Sequence, residues 1–359
     1  MVTGTILVSV VIPCLNERST IAQVLADLSA QDYSESFEVV LADGGSTDGT
    51  TDFIHSLVAD GSFSFPLRIL ENPKRIIPAG LNCAVAAAVG EIIVRVDGHS
   101  RLPNDYLAAM VAALRAGPYQ VVGPRILLIP AGPGFVAGAI AALLASPFGT
   151  GGTASRSQLT SPRRVAHAVM SCYRREVWQK LGGYDEQLAS NEDFDFDYRA
   201  GLSGFCIAAL PGPEFCLVAR ASLAALARQR WRYGWWKSMV LKKHPRSLHL
   251  RQAVPVIALL LALVGVPVLC LIPNGLFFLV VFFGVYLLAC VAMALMAWRS
   301  APKYGGSASW IRSIKQRLAT VILAPVIFPI IHGVWAAGVL VGIPCNRRQS
   351  NGGLTHVVG

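Results

Sequence analysis

No aspartate or glutamate occurs after Glu214, and this constrains the 359-residue chain more than any other feature. Residues 1–214 hold all 21 acids against 15 lysines and arginines, a net charge of −6. Residues 215–359 hold 16 lysines and arginines and no acid, a net charge of +16. The acid-free part also contains three long apolar runs, 252–272, 275–298 and 318–343, the first two joined by Pro273 and Asn274. About twenty apolar residues in a helix cross a bilayer core. The pattern therefore predicts a globular first half and a membrane-embedded second half. A mean hydropathy of +0.51 with only 14% charged residues agrees, being too apolar for an ordinary soluble chain of this length.

The cations flank the apolar runs, which suits anionic lipid headgroups and argues against nucleic acid as a partner. Lys242, Lys243, Arg246 and Arg251 precede the first run; Arg299, Lys303, Arg312, Lys315 and Arg317 lie between the second and third. The positive-inside rule then puts the N-terminal half and the 299–317 loop in the cytoplasm, on a multi-pass protein of the cell membrane. A simple third span would leave Arg347 and Arg348 outside, so the third segment, with Pro325, Pro329 and His332, is either a full span or a broken, re-entrant one. The expected divisions are a globular domain over 1–220, a basic and aromatic interface helix region over 221–251, a transmembrane region over 252–346 and a tail over 347–359. The eight cysteines (14, 83, 172, 206, 216, 270, 290 and 345) show no metal-binding spacing and read as reduced core residues. The apolar stretch 6–13 lacks a basic leader and reads as a first strand rather than a signal peptide.

In the first half, strands are predicted at 8–13, 37–42, 67–70, 92–96 and 166–173. Helices are predicted from Ser19 or Thr20 to about Gln31, after Thr50, over 78–90, over 103–116 and over 174–181. Strands alternating with helices predict an α/β fold with a mostly parallel sheet. Ligands in such folds sit beyond the carboxyl ends of the strands. Two strands end there in acids. The first runs into Asp43-Gly-Gly-Ser-Thr-Asp-Gly-Thr50, which is neither a P-loop nor a GxGxxG pattern. Asp43 either accepts hydrogen bonds from a nucleoside or makes an Asx turn that caps the next helix. The second ends in Val96-Asp97-Gly98-His99, where a carboxylate and an imidazole one residue apart can reach one divalent ion of the manganese type. Gly98 lets the backbone bend there.

Four acids crowd the segment Asn191-Glu-Asp-Phe-Asp-Phe-Asp197. On a helix, Asp193 and Asp197 share a face and Asp195 points elsewhere. The cluster supplies a general base, or it simply decorates a helix N-terminus favoured by the macrodipole. The stretch 221–237 reads as a helix in which Arg228, Arg230, Arg232 and Lys237 alternate with Trp231, Tyr233, Trp235 and Trp236. That pattern suits a membrane interface or a diphosphate. The apolar segment 134–148 is short for a span and reads as a core helix or one lying on the membrane surface. A mobile loop is expected from Gly149 to Arg164.

These features together resemble family 2 glycosyltransferases of the GT-A fold. The matching points are Val10-Val-Ile-Pro-Cys-Leu-Asn-Glu17, the 43–50 loop, Asn82 in Ala-Gly-Leu-Asn, Asp97-Gly-His99 and Asn191-Glu-Asp193. The likeness covers about residues 5 to 240. It is strongest to the succinoglycan-biosynthesis ExoA-type branch through Asp-Gly-His, Ser146 to Gly151 and Gln229 to Gly234. It implies a nucleotide-diphospho-sugar transferase domain with a mostly parallel sheet, followed by C-terminal transmembrane helices. Asp193 would be the catalytic base, and Asp97 and His99 would hold Mn²⁺ or Mg²⁺. Pro13, Asn16, Glu17, Asp43, Ser46, Asp48, Asn82, Asp97 and Arg230 would bind the donor, while Glu192, Trp231 and Arg232 would face the acceptor or its diphosphate. Ala227 stands three residues before Arg230, where processive synthases carry glutamine, and His99 stands where the family's DxD motif has a second aspartate.

The implied reaction is inverting transfer of a hexose, glucose from UDP-glucose, to a polyprenyl-diphosphate-linked saccharide. Transfer to a polyprenyl phosphate itself is the near alternative. A nucleotidyltransferase would release pyrophosphate instead, and a non-catalytic membrane scaffold would bind no donor.

Overall fold

The computed structural model describes residues 7–150, 159–299 and 313–344. The expected 149–164 loop falls largely outside these residues, as do Lys303, Arg312, Arg347, Arg348, Cys345 and the 347–359 tail. The chain forms two compact units, one of residues 1–128 and 152–217, the other of 129–151 and 218–359.

The first unit is built on β1 (Val8–Cys14), α1 (Ile21–Ser29), β2 (Phe37–Asp43), α2 (Thr50–Ala59), β3 (Leu67–Glu71), α3 (Ile77–Ala87), β4 (Ile92–Arg95), α4 (Tyr106–Ala116) and β5 (Val121–Ile129). After α5 (Phe135–Ala145) and α6 (Pro147–Thr150) come β6 (Arg163–Arg164), β7 (Cys172–Arg174), α7 (Arg175–Leu181), α8 (Glu192–Leu202) and β8 (Ile207–Val218). Among the described residues the strands make one sheet in the order β3-β2-β1-β4-β7-β5-β8-β6. The first four are parallel, and β7 runs antiparallel to β4 and β5.

Alternation explains why both sheet faces are covered. Val8, Val10 and Ile12 of β1, with Val39 and Leu41 of β2, pack in one apolar cluster against α1 and α4. Val11, Val40 and Ile93 point to the opposite cluster, against α3, α7 and α8. Strands buried on both faces read as continuous Val and Ile runs, as these do. Where β1, β2 and β4 end, the loops that follow carry Asn16 and Glu17, Asp43 to Asp48, and Asp97 to His99 onto one rim.

Several expectations need correction. The predicted 166–173 strand shrinks to Cys172–Arg174. Met170 has a positive φ of 52°, and the Ala168 N–H donates to the Asp197 carboxylate instead of to a ladder. Thr20 occupies the N-cap of α1, yet its hydroxyl donates to Glu17 rather than capping the helix. The helix expected from Pro103 begins at Tyr106.

The second unit holds α5, α6, α9 (Leu223–Lys243), α10 (Leu250–Leu271), α11 (Gly275–Arg299), α12 (Ile314–Pro329) and α13 (Trp335–Gly342). The 134–148 segment is thus a packed helix of this unit: Gln316 donates to the Phe135 carbonyl at 3.0 Å, and Phe148 meets Phe328 edge-on at 4.8 Å. Three helical stretches are long and apolar enough to cross a membrane: Leu250–Leu271, Gly275–Ala297 and Ile314–Gly342. Leu261, Leu271, Leu276 and Phe277 are each more than 60% exposed, an outward apolar surface of the kind a bilayer covers. The third stretch is helical across 29 residues, with a π turn over Ile330–Val334 directly after Pro329. The proline removes a backbone donor, and the wider turn absorbs the mismatch. Helices α9 and α13 meet backbone to backbone: a Cβ on Gly234 would fall 2.0 Å from the Trp335 carbonyl oxygen, and one on Gly338 2.6 Å from that of Trp231. Small residues four apart on α13, Gly338 and Gly342, permit this approach.

Candidate active site

Two loops on the rim are laced together. The Asn16 N–H donates to Ser46 Oγ at 2.8 Å, and the Thr47 N–H donates to Asn16 Oδ1 at 2.8 Å. Glu17 N–H donates to Thr50 Oγ1, and Arg18 N–H to Asp48, each at 3.0 Å. Asp43 accepts from the Ser46 hydroxyl at 2.5 Å and from Thr51 at 2.9 Å. The helix-capping Asx turn expected at Asp43 is not what forms: the N-cap of α2 is Gly49, without a side-chain cap, and it is Asp48 that accepts from the N–H two residues on, that of Thr50, at 3.0 Å. The Ser46 N–H at 3.1 Å and the two hydroxyls instead hold the Asp43 carboxylate at the strand end, 8% exposed. The Thr50 hydroxyl bond keeps the Asp48 carboxyl below its usual range. Gly49 enters α2 with φ of +82°, a conformation glycine adopts without strain. Pro13 sits one residue before the end of β1.

The β4 end is organised by a residue that the sequence reading passed over. Arg95, 5% exposed, reaches Asp97 Oδ1 through Nε and Glu192 Oε1 through a terminal nitrogen, both at 3.1 Å. Burial works against its charge, but Asp97, Glu192 and Asp193 outweigh it and hold its pKa well above the ordinary arginine value. Burial also pushes the Glu192 carboxyl up to about 7, with Arg95 opposing and Asp193 adding to the rise. Arg95 thereby ties the strand end to the start of α8. A lone cation inside an otherwise apolar strand was the available signal, since such a charge must be paired.

Every acid of α8 has a partner, and Asp193 and Asp197 share one. Glu192 takes Arg95, and Asp195 pairs with Arg199 at 2.7 Å. Asp197 accepts from His167 Nδ1 at 2.8 Å, and His167 Nε2 lies 3.8 Å from Asp193 Oδ2. Asp193 is one-third exposed and is the acid of the group most open to an incoming molecule. The shared face of Asp193 and Asp197 and the different direction of Asp195 follow the helical spacing.

Asp97 and His99 each meet another side chain, Arg95 and Glu17 respectively. His99 Nδ1 sits 2.9 Å from Glu17 Oε1, and Gly98 makes this possible by its lack of a side chain: a Cβ there would lie 2.9 Å from Glu17 Cγ. The glycine supplies room rather than an unusual φ. Among the described residues no three of His, Cys, Asp or Glu form a ready cation cage. The donor set nevertheless fits a metal shared with a diphosphate, where one or two protein ligands suffice and phosphate oxygens and water complete the shell. Asp97 engages Arg95 through Oδ1 alone, and the His99 ring is 60% exposed on the same turn.

Asn82 is fully employed. Its carboxamide accepts from Trp178 and the Tyr184 N–H and donates to the Tyr184 carbonyl and Glu186. Arg230, Trp231 and Arg232 belong to α9 in the second unit. The Arg230 and Arg232 guanidinium groups lie 5.9 and 5.8 Å from the Tyr233 ring centre, and Trp231 is 37% exposed.

The sequence profile of glycosyl transferase family 2 matches residues 9–182, the span holding the Asp43 loop and the Asp97 turn. The succinoglycan biosynthesis protein ExoA of Rhizobium meliloti (strain 1021) is 32% identical over 332 residues, 92% of each chain. The chain belongs to glycosyl transferase family 2. This family 2 enzyme is a membrane glycosyltransferase of polysaccharide or glycan biosynthesis. Over a third of its length (33%) it is also 32% identical to the undecaprenyl-phosphate 4-deoxy-4-formamido-L-arabinose transferase of Aeromonas hydrophila, covering 36% of that protein. In fold, this glycosyltransferase is similar to the mannosyltransferase PcManGT from Pyrobaculum calidifontis, solved with GDP-Man and Mn²⁺. The TM-score is 0.55 with 19% identity, over 90% of this chain and 88% of that one.

Proposed function

We propose that the protein transfers a hexose, glucose from UDP-glucose, with inversion to a polyprenyl-diphosphate-linked saccharide at the cytoplasmic membrane face. The observation that carries this reading is the buried Arg95, which joins Asp97 at the end of β4 to Glu192 beside Asp193. Metal ligand and base are thereby held on one rim next to the Asp43 loop.

Asp43, Ser46, Asp48, Asn16 and Glu17 cradle the nucleoside, with Pro13 setting the strand end beneath it. Asn82 braces the 184–186 turn from behind. Asp97 and His99 hold a divalent ion, Mn²⁺ or Mg²⁺, which when bound neutralises charge on the diphosphate. Asp193 accepts the proton of the acceptor hydroxyl as its oxygen bonds to the anomeric carbon. The bond from that carbon to the diphosphate breaks, and the nucleoside diphosphate leaves. On α9, Arg230 and Arg232 are assigned to phosphate oxygens and Trp231 to the acceptor; on α8, Glu192 is assigned to the acceptor beside Asp193. Arg matches phosphate geometry with a planar fork of donors.

The lipid acceptor is supported by the three apolar helices and by the acid-free, basic surroundings of those helices. The Aeromonas relative's name supports a second reading, transfer to a polyprenyl phosphate directly. A panel of nucleotide sugars with Mn²⁺ and each lipid acceptor tests both. UDP released from UDP-glucose with an elongated lipid saccharide is the expected result. A single sugar-phospholipid favours the second reading, and pyrophosphate release overturns both.

A further inference from the structure

Of the acids on α8, Asp197 has no part in the reaction above, and neither has His167. We infer that His167, anchored by Asp197, is a positioning residue that fixes the Asp193 carboxylate in its ionised, proton-accepting orientation. The inference rests on the proposed role of Asp193.

Its basis is a three-group chain. Asp197 is 1% exposed, and its Oδ2 accepts both from His167 Nδ1 at 2.8 Å and from the Ala168 N–H at 2.7 Å. Donating Nδ1–H to Asp197 fixes the ring orientation and turns Nε2 outward. That nitrogen faces Asp193 Oδ2 at 3.8 Å, an ion-pair rather than a hydrogen-bond distance. Phe194 packs edge-on against the imidazole, with ring centres 5.7 Å apart, and restrains its swing.

Two carboxylates one helical turn apart repel, and an imidazolium between them relieves the repulsion. The charged groups facing His167 are Asp193 and Asp197 from α8 and Arg95 from β4. Burial and Arg95 oppose the imidazolium; the two carboxylates overcome both and raise its pKa. Histidines that must hold one orientation commonly give their second nitrogen to a buried carboxylate.

Two amide substitutions separate the roles. In His167→Asn the amide nitrogen falls near Nδ1, so the link to Asp197 survives and the contact with Asp193 is lost. In His167→Gln the amide nitrogen reaches toward Nε2 instead. H167N is expected to lower kcat about ten- to a hundredfold, the usual loss for an orienting partner. UDP affinity and donor KM should stay within about twofold of wild type, since only the transition state is affected. H167Q should retain more turnover than H167N.

An H167N protein with wild-type kcat overturns the inference. So does a fall in kcat matched by an equal loss of UDP affinity, or an H167Q protein no more active than H167N. Asp193→Asn, measured alongside, separates the two levels. If D193N keeps wild-type turnover, the base reading fails and takes this inference with it. If D193N is inactive while H167N is normal, the inference alone fails.

Discussion

The two units solve the problem of charge in opposite ways. In the first, the buried or half-buried carboxylates of the rim each meet a cation or a hydroxyl: Glu192 and Asp97 share Arg95, Asp197 holds His167, Asp195 holds Arg199, and Asp43 holds Ser46 and Thr51. In the second, all 16 lysines and arginines lie in a stretch without a single acid, so water, backbone carbonyls and lipid phosphates must balance them. The first unit buries its apolar side chains beneath the sheet's two faces, whereas α10 has no buried residue at all. Charge pairing thus builds the site in one region, while the other is uniformly basic around its long apolar helices.

Four experiments break or sharpen this contrast. The largest effect belongs to D193N. Removing a well-placed general base costs about 10²–10⁴ in rate. Nucleoside diphosphate release should fall by that factor while calorimetry shows UDP binding retained. Next is Arg95→Met, which leaves Asp97 and Glu192 without their shared cation. Breaking a buried pair costs about 3–5 kcal/mol, so a correspondingly lower unfolding midpoint is expected.

A smaller effect is expected in the second unit, where packing rather than pairing is at stake. Gly338→Val forces a side chain against the Trp231 carbonyl, and overpacking of this kind costs about 1–3 kcal/mol. Thermal unfolding in detergent should show the loss while UDP binding is preserved. A parallel loss of UDP binding would end the contrast between the units.

The smallest effect is a slope. The Glu192 carboxyl lies near pH 7 in the folded protein against an ordinary value of 4.5. Between these values the folded state holds more protons than the unfolded one. The stability this group contributes is fully present below 4.5 and is lost as pH rises through 7. Glu192→Gln should therefore flatten the fall in unfolding midpoint between pH 4.5 and 7.

Much of this was legible in the sequence, for identifiable reasons. Strands β1, β2 and β4 are rich in Val and Ile, β2 and β4 run into Asp43 and Asp97, and a parallel sheet brings the three strand ends onto one rim. Strands β5 and β8 were missed because Pro124, Pro211 and Pro213 lie inside them, and proline argues against a strand interior. The pairing of Asp193 with Asp197 followed from helical spacing, since both lie on one segment. His167 did not, because its partners lie about thirty residues away on another element and a lone histidine in a loop carries no spacing signal. Asp97 and His99 were expected to share one ion because they are adjacent in sequence. That His99 meets Glu17 depends on a contact 82 residues away in the chain, which local pattern does not encode, whereas Arg95 lies only two residues from Asp97.

The insertion of residues 129–151 into the helical unit carries a practical consequence. Truncation after Leu217, the obvious route to a soluble catalytic fragment, would keep α5 but delete α12, whose Gln316 holds the Phe135 carbonyl. Such a fragment would carry an eleven-residue greasy helix with nothing to shelter it. Expression of the catalytic half as a soluble fragment is therefore expected to require that residues 129–151 be excised and the cut ends rejoined.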